Sequence, residues 1–565
     1  MLSVEGMKKV VIMIRKLNDK EHLCAYYTAD HEIAPDALKA EISKRLTQYM
    51  VPTAYLQLAE MPMTPNGKTD VKALPEPQLA VTSAFVAPAN DTEKAFCDIF
   101  AQILQMDQVG ATDNFFELGG TSLVVTRVII EADKAGLHVA YGDVFANPTP
   151  RKLAELITGV AVDSAAGADD PVANFDYTAI NNLLQRNTLG FFRSGERQQL
   201  GDVLITGATG YLGIHILRDL IDSDAKNIYC LVRGKTQEKA ESRLRTLLFY
   251  YFANSFKELF GKRLFVVLGD VTEDLAEKCS MFNVQCSTVF NCAAVVKHFS
   301  EGTEIEDVNI GGAQRCVEFC IKTGANLIHI STASTRGMWA GEIKDDVYTE
   351  QRLYMGQYLG NQYIYSKYMA ERLILDAVAL HGLRAKIMRV GNLAARSTDG
   401  EFQANFSTNS FMGRIRIYNM LGCCPYAMRN KRVEFSPINE VSHAIVLLAT
   451  TPRECTVFHP YNIHGQFLGD VLTGLTNVTG GIRFVEQEEF QQAIDEAGQD
   501  PQKAKQMAAL LAYKDMAHGQ KTADVQRDND YTTQVLFRLG FAWSPTSWDY
   551  VERMLTAIGG FGFFE

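Results

Sequence analysis

The sequence predicts a multidomain protein made of a small α/β unit, a four-helix bundle, and a doubly wound α/β Rossmann domain with a mostly helical C-terminal lobe. Three observations predict it. From Gly201 onward strand and helix signals alternate. Between residues 91 and 159 the pattern is helical around a central glycine loop. Residues 76–90 and 160–174, rich in small residues and proline or aspartate without a sustained period, read as linkers. A chain of 565 residues holds three or four domains of ordinary size.

The fractions of hydrophobic (47%) and charged (21%) residues are those of an ordinary globular protein. A net charge of −11 argues against a protein that holds nucleic acid or an anionic membrane over a broad surface, because both need a positive field. The 11 cysteines are scattered without a C-x-x-C pair, and Cys423-Cys424 are adjacent rather than spaced for a metal. Reduced thiols, no metal site and a cytoplasmic location are therefore expected. No apolar run reaches the length that spans a bilayer.

In residues 1–75, stretches 10–14, 23–27 and 55–58 read as strands and 37–49 as a helix that stops near Pro52. The turn Pro65-Asn66-Gly67 is a hairpin signal that places Lys68 just beyond its tip. In residues 91–159 the central stretch is Asp113-Asn114-Phe115-Phe116-Glu117-Leu118-Gly119-Gly120-Thr121-Ser122-Leu123. Two glycines turn the chain, and Ser122 opens an apolar run that continues as a helix, so it stands at a helix N-terminus, a favourable place for a phosphodiester.

In the third region, residues 203–206, 228–232, 264–268, 288–291, 327–330 and 386–389 are strand candidates. The first runs directly into Gly207-Ala208-Thr209-Gly210-Tyr211-Leu212-Gly213 and a helix over 214–221. A G-x-x-G-x-x-G loop in that place brings backbone N–H groups to a pyrophosphate, so Gly207, Thr209, Gly210, Tyr211, Leu212 and Gly213 are cofactor-binding candidates. The second strand ends at Arg233 where NAD enzymes tend to place a carboxylate, which favours NADPH, since a guanidinium grips a 2′-phosphate. Arg243 is either a second ligand for that phosphate or solvated helix surface. Asp270, followed by Val271, either accepts from the adenine amino group or is an ordinary turn carboxylate. Tyr363 and Lys367 are four apart and share one helix face. They follow a strand whose end reads Ile330-Ser331-Thr332, and a hydroxyl there points into the crevice where open α/β sheets bind ligands.

These pieces resemble known families over nearly the whole chain. Residues 113–123 resemble the attachment site of acyl and peptidyl carrier proteins, which implies that Ser122 carries 4′-phosphopantetheine. Residues 50–70, ending Asn66-Gly67-Lys68-Thr69-Asp70, resemble the C-terminal lid of adenylation domains, which implies that Lys68 contacts an acyl-adenylate. The core of such a domain is missing upstream, so the chain reads as the terminal piece of a longer synthetase. Gly207/Gly210/Gly213, Arg233, Asn291-Cys292-Ala293-Ala294, Asn309, Ile330-Ser331-Thr332, Tyr363/Lys367 and Arg389-Val390-Gly391-Asn392 resemble extended short-chain dehydrogenase/reductases. The closer likeness is to the terminal thioester reductase domains of nonribosomal peptide synthetases. Aminoadipate and carboxylic acid reductases share the same order of domains.

The resemblance implies a lid (1–75), a peptidyl carrier (91–159) and a reductase (175–565, Rossmann core about 201–395 and substrate lobe about 396–565). It implies NADPH-dependent release of a Ser122-bound aminoacyl or peptidyl thioester as an aldehyde, or onward to an alcohol. Thr332 and Tyr363 would donate to the carbonyl oxygen as charge develops, with Lys367 lowering the tyrosine's pKa and binding the nicotinamide ribose. The implied partners are upstream synthetase modules and a phosphopantetheinyl transferase, without nucleic acid or membrane. Non-reducing cyclising release, whose domains typically lack the tyrosine, and a purely structural Rossmann unit are the competing readings.

Overall fold

The computed structural model describes the chain except residues 1–5, 18–19, 32, 34–37, 39–51, 53, 63–68, 71–72, 76–84, 121, 140, 159–169, 193–196, 282–284, 298–302, 341–342, 404–408, 476–480, 499, 501–502, 504–521 and 560–565. By compactness it divides into Met1–Val162 with Ser300–Glu304, and Asp163–Phe299 with Ile305–Glu565.

In the first unit β1 (Met7–Leu17) pairs antiparallel with β2 (Lys20–Ala29), and β3 (Ala54–Gln57) joins β2 in parallel. The period of two along β2 sends Cys24 and Tyr26 into a cluster with Met61 and Leu74, and Tyr27 into another with Ile33 and Leu38. The expected helix over 37–49, the hairpin at Asn66-Gly67 and Lys68 lie outside the described residues, apart from Leu38.

Four helices follow: α1 (Asp91–Leu104), α2 (Ser122–Lys134), α3 (Tyr141–Ala146) and α4 (Pro150–Thr158). Asn90 caps α1 by accepting the N–H of Glu93 at 2.8 Å, and Glu93 in turn takes the N–H of Ala89 at 2.9 Å. Phe96, Phe100 and Ile103, at helical spacing, form its buried stripe.

The second unit is built on seven parallel strands: β4 (Val203–Thr206), β5 (Ile228–Val232), β6 (Leu264–Leu268), β7 (Thr288–Asn291), β8 (Asn326–Thr332), β9 (Ala385–Val390) and β10 (Val457–Phe458), in the order β10-β9-β8-β7-β4-β5-β6. The order reverses between β4 and β7, which opens a crevice at the carboxyl ends of those strands. Val203, Ile205 and Cys230 face a core with α5 (Tyr211–Asp222), α6 (Gln237–Phe252) and α9 (Ile438–Ala449). Leu204, Leu231, Val289 and Leu327 face the opposite core with α7 (Gly312–Thr323) and α8 (Gln362–His381). Burial on both faces explains the continuous apolar strand runs.

The structure differs from the expected domain bounds in two places. Residues 171–174, assigned to the second linker, form a turn on the reductase: Val172 is buried in its core, and its carbonyl accepts the Tyr177 hydroxyl at 2.8 Å. The Rossmann core does not end near 395, because α9 packs on α5 and β10 extends the sheet beyond β9. Among the described residues, the remaining C-terminal lobe is mostly helical, as expected, with short strands between its helices. The helices Ser410–Leu421, Leu468–Leu475, Gln487–Gly498, Asp530–Arg538 and Trp548–Gly559 are interleaved with two-stranded ladders such as Cys423–Pro425 with Arg483–Val485 and Arg432–Glu434 with Gly465–Phe467. Strands of two or three residues leave no alternation in sequence, so tertiary pairing alone defines them.

Candidate active site

The loop before Ser122 is fixed from beneath. Phe115 is fully buried 4.7 Å from the ring of Phe100, its N–H donates to Pro148 O at 2.7 Å, and Asp113 Oδ2 accepts the N–H of Gly110 at 2.8 Å. A Cβ on Gly120 would lie 2.3 Å from the Phe115 ring, so glycine alone lets the chain cross the aromatic and deliver Ser122 as the first residue of α2.

The glycine loop is equally constrained. Gly207 has φ +68°, and a Cβ there would lie 2.5 Å from Ala293 N, on the loop after β7. A Cβ on Gly213 would lie 2.1 Å from Gly207 O. These close approaches let α5 start directly over the loop, with Gly210, which has no side chain to cap the first N–H groups, at its N-cap. Such a cradle fits the pyrophosphate of a dinucleotide.

Tyr211 and Leu212 can serve a cofactor only through their backbone. The Tyr211 hydroxyl donates to Ala394 O at 3.1 Å, and Leu212 is buried in the core. Thr209, half-buried, lies within the turn. At the ends of β5 and β6, exposed Arg233 stands with Nε 3.7 Å from Asp270 Oδ2, and Arg243 Nη1 donates to Arg233 O at 3.5 Å. Both arginines thus reach one place. Asp270 Oδ1 accepts from Thr272 N and Oγ1, each at 2.9 Å, which leaves Oδ2 as the acceptor. Val271 is buried against Gly312.

A polar ladder crosses the sheet beside this loop. Thr206 on β4 donates to Asn291 Oδ1 on β7 at 2.8 Å, and Asn291 Nδ2 lies 3.2 Å from His329 Nδ1 on β8. Burial holds His329 neutral, its pKa well below the usual range.

Asn361 caps α8 by accepting from Ile364 N at 2.9 Å. The helix then presents half-buried Tyr363 and, one turn on, buried Lys367, whose Nζ donates to Ile330 O at 2.8 Å. Burial lowers the Lys367 pKa to about 8, against the opposing influence of Cys292 and Glu371. Thr332 closes β8, and its Oγ1 accepts the N–H of Ser334 at 3.1 Å, so the hydroxyl proton is left to donate elsewhere. Lys367 is therefore anchored two residues from Thr332 on the strand.

Two groups acquire a place the sequence reading did not give them. Asn309 donates to Val295 O at 3.0 Å and Ser366 Oγ at 2.9 Å, tying the loop after β7 to α8. Glu371 pairs with Arg389 in the core. Its spacing, four residues after Lys367, was the available signal.

The fold and site define an NAD-binding reductase of the extended short-chain dehydrogenase type, joined to a carrier domain. Residues 94–157 match the family described as phosphopantetheine attachment site, and residues 205–445 match the NAD-binding family described as male sterility protein. A thiolation-reductase di-domain from an archaeal non-ribosomal peptide synthetase is 35% identical, covers 86% of this chain and 100% of its own, and superposes with a TM-score of 0.76. The chain belongs to that family of nonribosomal peptide synthetase thiolation-reductase di-domains. A linear gramicidin synthase polypeptide of Brevibacillus parabrevis is 28% identical over 88% of this chain, which spans 10% of that protein. The isonitrile lipopeptide synthase of Mycobacterium tuberculosis is 29% identical over 82%, and this chain spans 20% of it. Among the described residues no helix is long and apolar enough to cross a membrane.

Proposed function

We propose that this chain is the terminal module of a peptide synthetase and releases an aminoacyl or peptidyl thioester from the pantetheine arm of Ser122 by NADPH-dependent reduction to the aldehyde. The supporting observation is that Lys367, one helical turn after Tyr363, is anchored to the strand that ends in Thr332, on the same sheet edge as the Gly207–Gly213 cradle. When bound, the dinucleotide supplies a hydride to the carbonyl carbon. Thr332 and Tyr363 donate to the oxygen on which charge develops. Lys367, as an adjacent cation, favours the charge that develops there and orients the nicotinamide ribose. Collapse of the thiohemiacetal frees the pantetheine thiol and the aldehyde. Arg233 and Arg243 would take the 2′-phosphate, and Asp270 the adenine amino group.

Residues 1–75, with Lys68, would be the lid of an upstream adenylation core, and a phosphopantetheinyl transferase would install the arm. Carrying the thioester on the same chain as the reductase would keep the cargo at an effective concentration on the order of millimolar. The test loads the chain with an acyl-pantetheine, adds NADPH and follows intact mass and absorbance. Release of aldehyde by the parent protein, absent in Ser122→Ala and Tyr363→Phe, supports the reading. Unchanged turnover in Tyr363→Phe overturns it.

A further inference from the structure

We propose that the buried Glu371–Arg389 ion pair positions the reductase site, holding Thr332 and Lys367 in one register. This rests on the function proposed above.

Tyr363, Lys367 and Glu371 recur every four residues along α8, so they share one face. Each of the last two grips the end of β8. Lys367 donates to Ile330 O at 2.8 Å, and the next residue, Ser331, donates its hydroxyl to Glu371 Oε1. The Thr335 hydroxyl lies 2.8 Å from Thr332 O and 3.3 Å from the same Glu371 oxygen. Thr332 is therefore held on both sides by groups that Glu371 secures.

The second carboxylate oxygen accepts from Arg389 Nε at 2.9 Å and lies 2.8 Å from its Nη2. Arg389 in turn donates to Arg352 O at 2.9 Å and to His459 Nε2 at 3.2 Å, beneath the Tyr348 ring at 4.4 Å. Both members of the pair are 0% exposed. A pair so placed cannot be relaxed by solvent, and loss of one partner strands the other charge.

The groups facing Lys367 are Cys292 from the loop after β7, His329 from β8, and Tyr363 and Glu371 on its own helix. Burial pushes the Cys292 thiol up to about 12 and leaves His329 neutral, so Glu371 supplies the negative charge that favours the ammonium. Arg389 from β9 faces Glu371, with Tyr348 and Tyr368 beside it.

The experiment compares Glu371→Gln with the parent chain, both carrying the acyl-pantetheine. Expected are a kcat lower by about tenfold or more, as for a catalytic group displaced by a fraction of an ångström, and an alkaline limb of the kcat profile moved down by about one pH unit. KM for NADPH should rise by less than kcat falls, since the glycine cradle, Arg233, Arg243 and Asp270 are untouched and only the Lys367 contact to the nicotinamide ribose is disturbed. A merely structural pair would change unfolding but not the pH profile. A folded Glu371→Gln chain with the parent's kcat and pH profile overturns the proposal. Should that variant fail to fold, Ser331→Ala, which leaves the ion pair in place, is read instead: a reduced kcat with an unmoved alkaline limb supports the proposal, and the parent's kcat overturns it. A parent chain that consumes no NADPH would overturn the proposed function and this inference with it, whereas an active parent with an indifferent variant overturns this inference alone.

Discussion

Replacing Lys367 by Met should raise stability at neutral pH while abolishing reduction. Burial lowers the Lys367 pKa from 10.5 to about 8. At about 1.4 kcal/mol per unit, the native state carries a cost of about 3 kcal/mol wherever the amine is charged. Methionine keeps the apolar stem and removes the charge, but it leaves Ile330 O without its 2.8 Å partner, a loss of about 1 to 2 kcal/mol. The net gain below pH 8 is about 1 to 2 kcal/mol.

The gain has a defined pH window. Because the native pKa is depressed, the unfolded chain holds more protons between about 8 and 10.5, and the parent's stability rises with pH across that range. Above it the charge penalty is gone, only the lost hydrogen bond remains, and the variant becomes the less stable of the two. Urea unfolding of the full chain at pH 7 and pH 10 measures the difference, followed by tryptophan fluorescence. The 3 tryptophans, Trp339, Trp543 and Trp548, all lie in the reductase unit, so the signal belongs to it alone. Other lysines and tyrosines titrate in both proteins and cancel. A stability difference that is the same at both pH values would refute the reasoning.

Three further outcomes are expected. Gly213→Ala puts a methyl 2.1 Å from Gly207 O; the cradle must move by about 1 Å, and NADPH affinity in a fluorescence titration should fall by about tenfold or more. Arg233→Glu should lower kcat/KM for NADPH by about 10- to 100-fold, the size of a charged hydrogen bond, and leave NADH much less affected. Glu350, buried with Oε1 accepting from Thr532 N at 3.0 Å and Oγ1 at 2.6 Å, has its pKa raised from 4.5 to about 7 by burial. Its contribution is full below the unfolded pKa and lost as pH rises through 7, so Glu350→Gln should gain about 2 to 3 kcal/mol over the parent between pH 5 and pH 8 in the same unfolding assay.

Six of the seven strands were legible in the sequence because each is a run of apolar residues closed by a turn signal, and β8 and β9 merely extend beyond the expected ends. The glycine loop and the Tyr363/Lys367 spacing were legible for a similar reason: local geometry demands those residue types. What was not legible depends on partners distant in sequence. β10 has two residues, and only the neighbouring β9 makes it a strand. Arg389 was legible only as part of a family motif and Glu371 not at all, because their pairing exists only once the fold buries each against the other. Tyr211 sits in a cofactor loop, yet its ring points into a pocket lined by His215 and Phe402, a direction that the loop's own sequence does not encode.

The return of α9 and β10 to the Rossmann sheet bears on how such modules can be recombined. A chimera that joins the first 395 residues to a foreign lobe would strip β9 of its neighbour and uncover the apolar side of α5, leaving an open edge ready to pair with other chains. Grafts that carry residues 438–458 along with the native core, and exchange only the segments on either side, keep β9 paired and α5 covered. For this protein, the C-terminal lobe and the scaffold of the sheet are threaded through the same length of chain, so exchanging one without the other means cutting twice.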